Sequence, residues 1–193
     1  MSPTKILVVP GSLRTGSLNA RLASLIAREL ARPDVEVTLL SLKDYPLPIY
    51  DGDLEQESGV PAAAVELKRM IGAHHGVVFV SPEYNSSFPP LVKNTIDWVT
   101  RVREDGESLG QVFRERVFAI AAASNGKFGG MRVLMGLRQV LALGCGANVI
   151  PKQLALSFAE TAYDDNGQLK NPADAAALSA MLGQLVDTAQ RMK

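Results

Sequence analysis

Residues 5–19 read KILVVPGSLRTGSLN and decide the fold. Lys5 to Val9 is a largely apolar run typical of a buried strand, and the loop that begins at Gly11 is rich in small, hydroxyl-bearing and turn-forming residues. We expect a helix to begin at Ser17, because serine is favoured at helix N-caps. A strand, a polar loop and a helix in this order form the repeating unit of a parallel α/β sheet.

This unit recurs along the chain and predicts five strands that alternate with five helices. The strands are expected at 5–9, 35–40, 76–81, 116–124 and 147–150, and the helices at 17–31, 61–73, 91–103, 130–143 and from Asn171-Pro172 onward. The runs VVFV and VFAIA are apolar without alternation, as strands buried on both faces should be. We therefore predict an α/β, flavodoxin-like fold with a five-stranded parallel sheet in the order 2-1-3-4-5 and helices on both faces.

The chain has room for one domain with a full core, and we expect residues 1–193 to form a single flavodoxin-like domain. Twenty basic residues balance twenty acidic ones, which argues against a general nucleic-acid or membrane surface. No apolar run approaches the roughly 20 residues that cross a bilayer. The loop from Lys43 to Gly59 is long for a compact domain, so a functional role is expected there.

Cysteine and histidine usage argues against disulfide and metal chemistry. The single cysteine, Cys145, excludes an internal disulfide and a multi-cysteine metal site. His74 and His75 have no acidic or cysteine partner at metal-ligand spacing, so no metal is expected. The first residues lack the apolar core of a signal peptide, and we expect a cytoplasmic location.

The first loop has the features of a phosphate site. The start of a helix offers unpaired N–H groups and partial positive charge. Here it is joined by the hydroxyls of Ser12, Thr15 and Ser17 and by the guanidinium of Arg14. The alternative for Ser17 is that it serves only as the helix cap. Asn19 either reaches a ligand hydroxyl or only makes hydrogen bonds within the loop.

Two common nucleotide motifs are absent from this chain. Gly11-x4-Gly16-Ser17 resembles a Walker A loop but lacks its lysine, which argues against an NTPase. The dinucleotide pattern G-x-G-x-x-G is also missing. The loop therefore suits a terminal monophosphate.

Two further loops suit a flat ring with polar edges. PEYN at 82–85 follows the third strand, where its backbone groups and Tyr84 can contact such a ring. SNGKFGG at 124–130 follows the fourth strand, and its glycines permit close backbone approach. Surface packing and a flexible turn are the alternatives. With the phosphate loop, these segments indicate a flavin mononucleotide (FMN) site.

The motifs resemble those of the NADPH-dependent FMN reductase family, which includes chromate- and quinone-reducing flavoproteins. The resemblance lies in GSLRTGSLN at 11–19, PEYN at 82–85 with LVKNTIDW at 91–98, SNGKFGG at 124–130 with LRQ at 137–139, and DNGQL at 165–169. It spans residues 5 to about 185. Pro90 departs from it, because many relatives carry glycine there, and this leaves the acceptor preference open.

The resemblance implies which residues hold the cofactor. The phosphate and ribityl chain would be held by Ser12, Arg14, Ser17, Leu18 and Asn19, the ring by Pro82, Glu83, Tyr84, Asn85 and Ser86, and the other side by Ser124 and Gly126. Arg101 is a candidate for the phosphates of NAD(P)H, with pairing to the helix dipole as the alternative.

The implied activity is that of an NAD(P)H oxidoreductase. A hydride would pass from NADPH or NADH to flavin N5, and electrons would then reduce a quinone, free flavin, azo compound or metal oxyanion by a ping-pong mechanism. No side chain is required as a nucleophile or general base. The alternatives are a flavin-binding electron carrier or redox sensor that does not oxidise NAD(P)H, and a nucleotide-binding module without flavin.

The helix at Leu91–Arg103 carries apolar residues around much of its circumference, more than one sheet-facing stripe requires. This pattern predicts a homodimer or homotetramer that associates through this helix, as members of the family typically do. The alternative is that the long loop from Lys43 to Gly59 covers the second apolar face.

Overall fold

The computed structural model describes residues 2–104 and 106–193. Met1 and Asp105 fall within the predicted domain but lie outside the described residues. The strands are β1 (Thr4–Pro10), β2 (Val35–Leu39), β3 (Gly76–Val80), β4 (Val117–Ala123), β5 (Asn148–Val149) and β6 (Leu154–Leu156). The helices are α1 (Leu18–Leu30), α2 (Gly52–Ser58), α3 (Ala62–Gly72), α4 (Pro90–Arg101), α5 (Gln111–Arg114), α6 (Met131–Gln139) and α7 (Pro172–Arg191).

The sheet is parallel and has the predicted order, β2-β1-β3-β4-β5. Strands β3 and β4 are buried along their whole length. Helices α1 and α7 pack on one face through a core that includes Ile6 and Val8. Helices α3, α4 and α6 pack on the other through Leu7 and Val9. The flavodoxin-like fold prediction is confirmed.

The edge beyond β4 differs from the prediction of one strand at 147–150. Strand β5 pairs with Val117 and Phe118, and a sixth strand, β6, pairs with β4 from Ala121 to Ala123. Pro151 lies between the two strands and has no N–H to donate to a ladder. Arg138 of α6 compensates there, because its guanidinium donates to the carbonyls of residues 149–151 and to the side chain of Gln153.

Several predicted helix boundaries shift for local reasons. The predicted helix at 17–31 begins at Leu18, because Ser17 is its N-cap. The predicted helix at 61–73 likewise begins at Ala62, with Pro61 at the N-cap position. Helix α4 begins with Pro90, whose missing N–H is tolerated in a first turn, and it ends at Arg101 rather than at residue 103. The predicted helix at 130–143 begins at Met131 as α6 and continues through a π-helical turn over Val140–Gly144. Helix α5 was not predicted.

The segment predicted as a loop at 43–59 contains most of a 3₁₀ turn, Leu42–Asp44, and all of helix α2. It is fixed to α4 by polar contacts. The Tyr50 N–H donates to Asn94 Oδ1 (2.8 Å), while Asn94 Nδ2 and Trp98 Nε1 both donate to the Pro48 carbonyl (2.8 Å each). Trp98 is fully buried against this segment. The segment around Pro48 and Tyr50 therefore covers an apolar side of α4. This is the alternative to the subunit interface that was predicted from the apolar residues of this helix.

Two histidines between α3 and β3 make structural hydrogen bonds. His74 contacts the Met70 carbonyl and Thr38 Oγ1, and His75 Nδ1 accepts from the Lys5 N–H at 2.8 Å. Burial lowers the pKa of both imidazoles below the ordinary value of 6.5. Between the folded-state pKa values and 6.5, the unfolded chain therefore binds protons that the folded chain does not.

We expect the free energy of unfolding to fall as the pH is lowered from 7.5 to 5.5. His75→Asn keeps an acceptor for the Lys5 N–H but does not titrate, so its stability should depend less on pH than that of the wild type. Urea unfolding at several pH values measures both slopes. Equal slopes would show that protonation of His75 does not contribute.

Candidate functional site

Loops one, two and three, defined as residues 11–17, 81–89 and 124–130, follow β1, β3 and β4 at one edge of the sheet. The strand order reverses between β1 and β3, which is where open α/β sheets bind ligands. The Gly11 N–H donates to the Val80 carbonyl at 2.8 Å. A Cβ atom at Gly11 would clash with the side chain of Val92, so glycine lets loop one pass close to α4.

Loop one leads into the N-terminus of α1. Ser17 Oγ accepts from the Ala20 N–H at 3.3 Å, so the capping role considered for Ser17 is present. The backbone N–H of Arg14 donates to Ser12 Oγ at 3.4 Å. The exposed guanidinium of Arg14 folds back to donate to the Gly16 carbonyl at 3.2 Å. A cation, hydroxyls and a helix N-terminus therefore lie together.

Asn19 connects the start of α1, directly after loop one, to the end of β4, directly before loop three. Its buried amide donates to the Ala123 carbonyl and accepts from the Ala123 N–H, both at 2.9 Å. These bonds fix the start of α1 against the end of β4, beside Ser124. Because its amide is used on protein backbone, Asn19 serves here as a positioning residue, and Leu18 follows the cap as the first residue of α1.

Loop two has a tight turn at its tip. Tyr84 and Ser87 exchange backbone hydrogen bonds of 2.9 and 3.0 Å, and the two residues between them, Asn85 and Ser86, have φ values of 50° and 65°. Positive φ at both central residues is typical of the two-residue turns that close hairpins. The side chain of Tyr84 remains about half exposed, whereas Pro82 at the base is buried.

Glu83 connects loop two to α6. Arg132 contacts Glu83 Oε1 through both Nη2 (2.6 Å) and Nε (2.9 Å). The Glu83 side chain is only 10% exposed, and Oε2 is buried without a hydrogen-bond donor from the residues that the structure describes. Arg132 was not predicted, because nothing in a single sequence pairs it with a residue 49 positions away.

Loop three depends on two glycines with positive φ. A Cβ atom at Gly129 would lie 2.5 Å from the Ala155 carbonyl oxygen, and one at Gly130 would lie 2.6 Å from Ala122 Cβ. Ser124 Oγ accepts from the Gly126 N–H at 3.1 Å, which closes the start of the loop. Three glycines were predicted to let the backbone of loop three approach a ligand closely. Two of them, Gly129 and Gly130, instead allow close contact with other parts of the chain.

A fourth segment, residues 157–160, also belongs to this edge. Ser157 Oγ donates to the Lys127 carbonyl at 2.8 Å, and the Glu160 N–H donates to Asn125 Oδ1 at 3.0 Å. Phe158 has a φ of 47° and an exposed ring. No prediction covered this segment, because it follows β6, whose pairing with β4 was not expected from the sequence. A β-branched or bulky residue with positive φ is uncommon, and no sequence signal marks it.

Arg101 is the last residue of α4 and lies outside loop one. Its Nε contacts both carboxylate oxygens of Glu55 (2.9 and 2.8 Å), and this hydrogen bond lowers the pKa of Glu55 below its ordinary value. Arg101 also lines a groove of about 810 Å³ between α4 and the segment 136–145, together with Phe88 and Leu143. Arg101 is therefore already paired with a carboxylate. Its predicted binding to the phosphates of NAD(P)H stays a prediction.

Within residues 2–104 and 106–193, no helix is long and apolar enough to cross a membrane. The same residues contain no cluster of three or more His, Cys, Asp or Glu side chains arranged to hold a metal ion. The cytoplasmic location stays a prediction. The polar groups of the four segments at this edge of the sheet suit an organic ligand that combines a phosphate with a hydrogen-bonding ring.

The sequence model of the family described as NADPH-dependent FMN reductase matches residues 4–161. The chain belongs to this family, and it is an oxidoreductase of the class that uses FMN with NAD(P)H as electron donor. The family resemblance and the FMN cofactor predicted from the motifs are confirmed.

Individual relatives agree with this assignment. A quinone reductase of Escherichia coli (strain K12) is 38% identical over 138 residues, which cover 71% of this chain and 69% of that protein. An NAD(P)H-dependent FMN reductase of Pseudomonas aeruginosa is 34% identical over 165 residues, 86% of this chain and 84% of its own. The structure of the flavoenzyme NAD(P)H:(acceptor) oxidoreductase FerB from Paracoccus denitrificans superposes with a TM-score of 0.80 at 28% identity, covering 98% of both chains.

Asn19 and Asn125 allow a matched test of how loop one is fixed. Each amide both donates and accepts, but the bonds of Asn19 are buried and those of Asn125 to Glu160 are exposed. We expect Asn19→Leu to lower the free energy of unfolding by about 2–4 kcal/mol, because it leaves two buried backbone groups unpaired. Asn125→Leu should cost under about 0.5 kcal/mol. Equal losses in urea unfolding would contradict the positioning role of Asn19.

Proposed function

We propose that this chain binds FMN at the carboxyl ends of β1, β3 and β4, oxidises NAD(P)H, and reduces a quinone. The observation that carries the proposal is the joining of loops one, two and three into one edge at the switch in strand order. Asn19 joins the helix after loop one to Ala123, the residue before loop three, and Glu83 of loop two pairs with Arg132 of α6, the helix after loop three.

The residues present fit FMN. Arg14, Ser12 and the N–H groups at the start of α1 supply positive charge and donors for the phosphate. Loop two, with Tyr84, Asn85 and Ser86, lines the ring, while Ser124 and Gly126 line the other side. The buried oxygen of Glu83, without a donor among the described residues, suits a ligand that carries an N–H or O–H group.

When bound, FMN supplies the chemistry, since it accepts a hydride from nicotinamide and passes electrons onward. The chain's own part is to bind, orient and shield the cofactor. We propose a quinone as the acceptor, rather than free flavin, an azo compound or a metal oxyanion, because the E. coli relative is named a quinone reductase. One open face used in turn by both substrates implies ping-pong kinetics. The carrier alternative requires that NAD(P)H is not oxidised.

The proposed function is tested by anaerobic absorption spectroscopy of the protein after reconstitution with FMN and desalting. We expect retained yellow colour that bleaches with NADPH or NADH and returns on addition of a quinone. Initial rates at varied concentrations of both substrates should give parallel double-reciprocal lines. A flavin that stays oxidised with both nucleotides would favour the carrier, and intersecting lines would contradict alternating occupancy.

Arg14 provides a test of phosphate recognition. Removing a cation beside a phosphate costs a charge-assisted hydrogen bond, so Arg14→Ala should weaken FMN binding by about 10-fold. Riboflavin, which lacks the phosphate, should bind the variant and the wild type equally. Arg32→Ala is the control, because Arg32 pairs with Asp34 away from loop one. Equal weakening of FMN and riboflavin would contradict the placement of the phosphate at loop one.

We also propose that the chain associates as a homodimer or homotetramer through the exposed side of α4 and the neighbouring groove. The support is the set of apolar side chains around the groove, of which Leu143 is 80% exposed and Leu109 44%. Sedimentation equilibrium should show an oligomer for the wild type and dissociation for Leu143→Glu. An unchanged mass for the variant would place any interface elsewhere.

A further inference from the structure

We infer that Glu83, held in place by Arg132, accepts a hydrogen bond from the ring imide N–H of the cofactor, and that this ion pair sets the reduction potential. The inference rests on the proposed function, because it assumes that FMN binds at this edge. It assigns a role to Arg132, which neither the motifs nor the family resemblance singled out.

One carboxylate oxygen of Glu83 has no hydrogen-bond donor among the described residues. Both Nε and Nη2 of Arg132 contact Oε1 of Glu83, at 2.9 and 2.6 Å. The guanidinium does not pair one nitrogen with each carboxylate oxygen. Oε2 is buried, and none of the described residues donates to it. The carboxylate is therefore fixed through Oε1, while the buried Oε2 keeps an acceptor position that no described residue uses.

Such an arrangement is unfavourable without a ligand. A buried carboxylate oxygen without a donor loses its hydration and gains nothing in return. Native proteins keep few such groups, and each one calls for an explanation such as a functional role. Glu83 follows β3 at the carboxyl edge, within loop two, so a donor that enters this edge would satisfy it.

The chemistry of the cofactor selects the donor. The oxidised isoalloxazine ring carries one N–H group, the imide at N3, and the other donors of FMN are hydroxyls on the ribityl chain. Loop one, with Arg14 and the N-terminus of α1, is proposed to hold the phosphate end, and loop two the ring. Glu83 lies in loop two, which favours the imide. A charged acceptor makes this hydrogen bond stronger than a neutral one would.

The pair also controls charge beside the ring. Glu83 and Arg132 neutralise each other, so removing either one leaves the opposite charge unbalanced. A positive charge favours the reduced, more negative cofactor, and a negative charge disfavours it. Glu83→Gln should therefore raise the potential and Arg132→Gln should lower it. A purely structural tie between loop two and α6 gives no reason for opposite shifts.

The hydrogen bond is tested by binding FMN and 3-methyl-FMN, which lacks the imide N–H, to the apoprotein. We expect the wild type to prefer FMN by about 10-fold or more and Glu83→Ala to lose most of this preference. Discrimination that persists in Glu83→Ala would overturn the inference, because another group would then read the imide. If the wild type bound neither compound, the proposed function itself would fail.

The electrostatic role is tested by the two-electron midpoint potentials of the reconstituted wild type and variants, measured at pH 8. We expect a higher potential for Glu83→Gln, a lower one for Arg132→Gln, and one close to the wild type for Arg132→Lys, which keeps the charge. Shifts in the same direction for both Gln variants, or no shifts, would overturn this part of the inference. Arg32→Gln is the control, since Arg32 pairs with Asp34.

Discussion

Burial of the central strands on both faces is the constraint on which this structure depends. Every residue of β3 and β4 is buried, so neither strand can carry a solvated side chain along its length. Polar groups must therefore lie where the strands end. Because the strands are parallel, their carboxyl ends meet at one edge, and loops one, two and three meet there with them. The same constraint that makes the core apolar thus concentrates the chemistry.

The loops at that edge are fixed to one another by polar side chains. Asn19 holds the start of α1 against β4, and Glu83 with Arg132 holds loop two against α6. Bonds of this kind restrict a site before a ligand arrives, which reduces the entropy cost of binding. Asn19 of α1 pairs with Ala123 at the end of β4, and loop three begins at the next residue, so a change at Asn19 affects the placement of loop three as well as that of α1.

Much of this could be predicted from the sequence, because the decisive signals are local. Apolar runs without alternation predicted strands buried on both faces, and serine at position 17 marked the start of α1. The errors have non-local causes. Strand β6 depends on Arg138 satisfying carbonyls around Pro151, and the cover over Trp98 depends on the Pro48 carbonyl some 50 positions away. The same is true of the site, where Glu83 was named as a ligand residue but its partner Arg132 was not.

The wide apolar surface of α4 shows how a correct pattern can have two explanations. Its circumference predicted a subunit contact, yet Trp98 is buried by the chain's own segment around Pro48 and Tyr50. Periodicity reports that a face is covered but not what covers it. The exposed leucines beside the groove therefore carry the proposal of association, independently of that pattern.

We propose that one edge of the sheet holds FMN with its phosphate at the start of α1 and its ring along loop two. The first experiment to make is a crystal structure of the FMN complex. We expect phosphate oxygens within hydrogen-bond distance of Arg14 or Ser12 and the ring beside Glu83 to Ser86. A phosphate bound elsewhere, or a ring in the groove between α4 and segment 136–145, would contradict it.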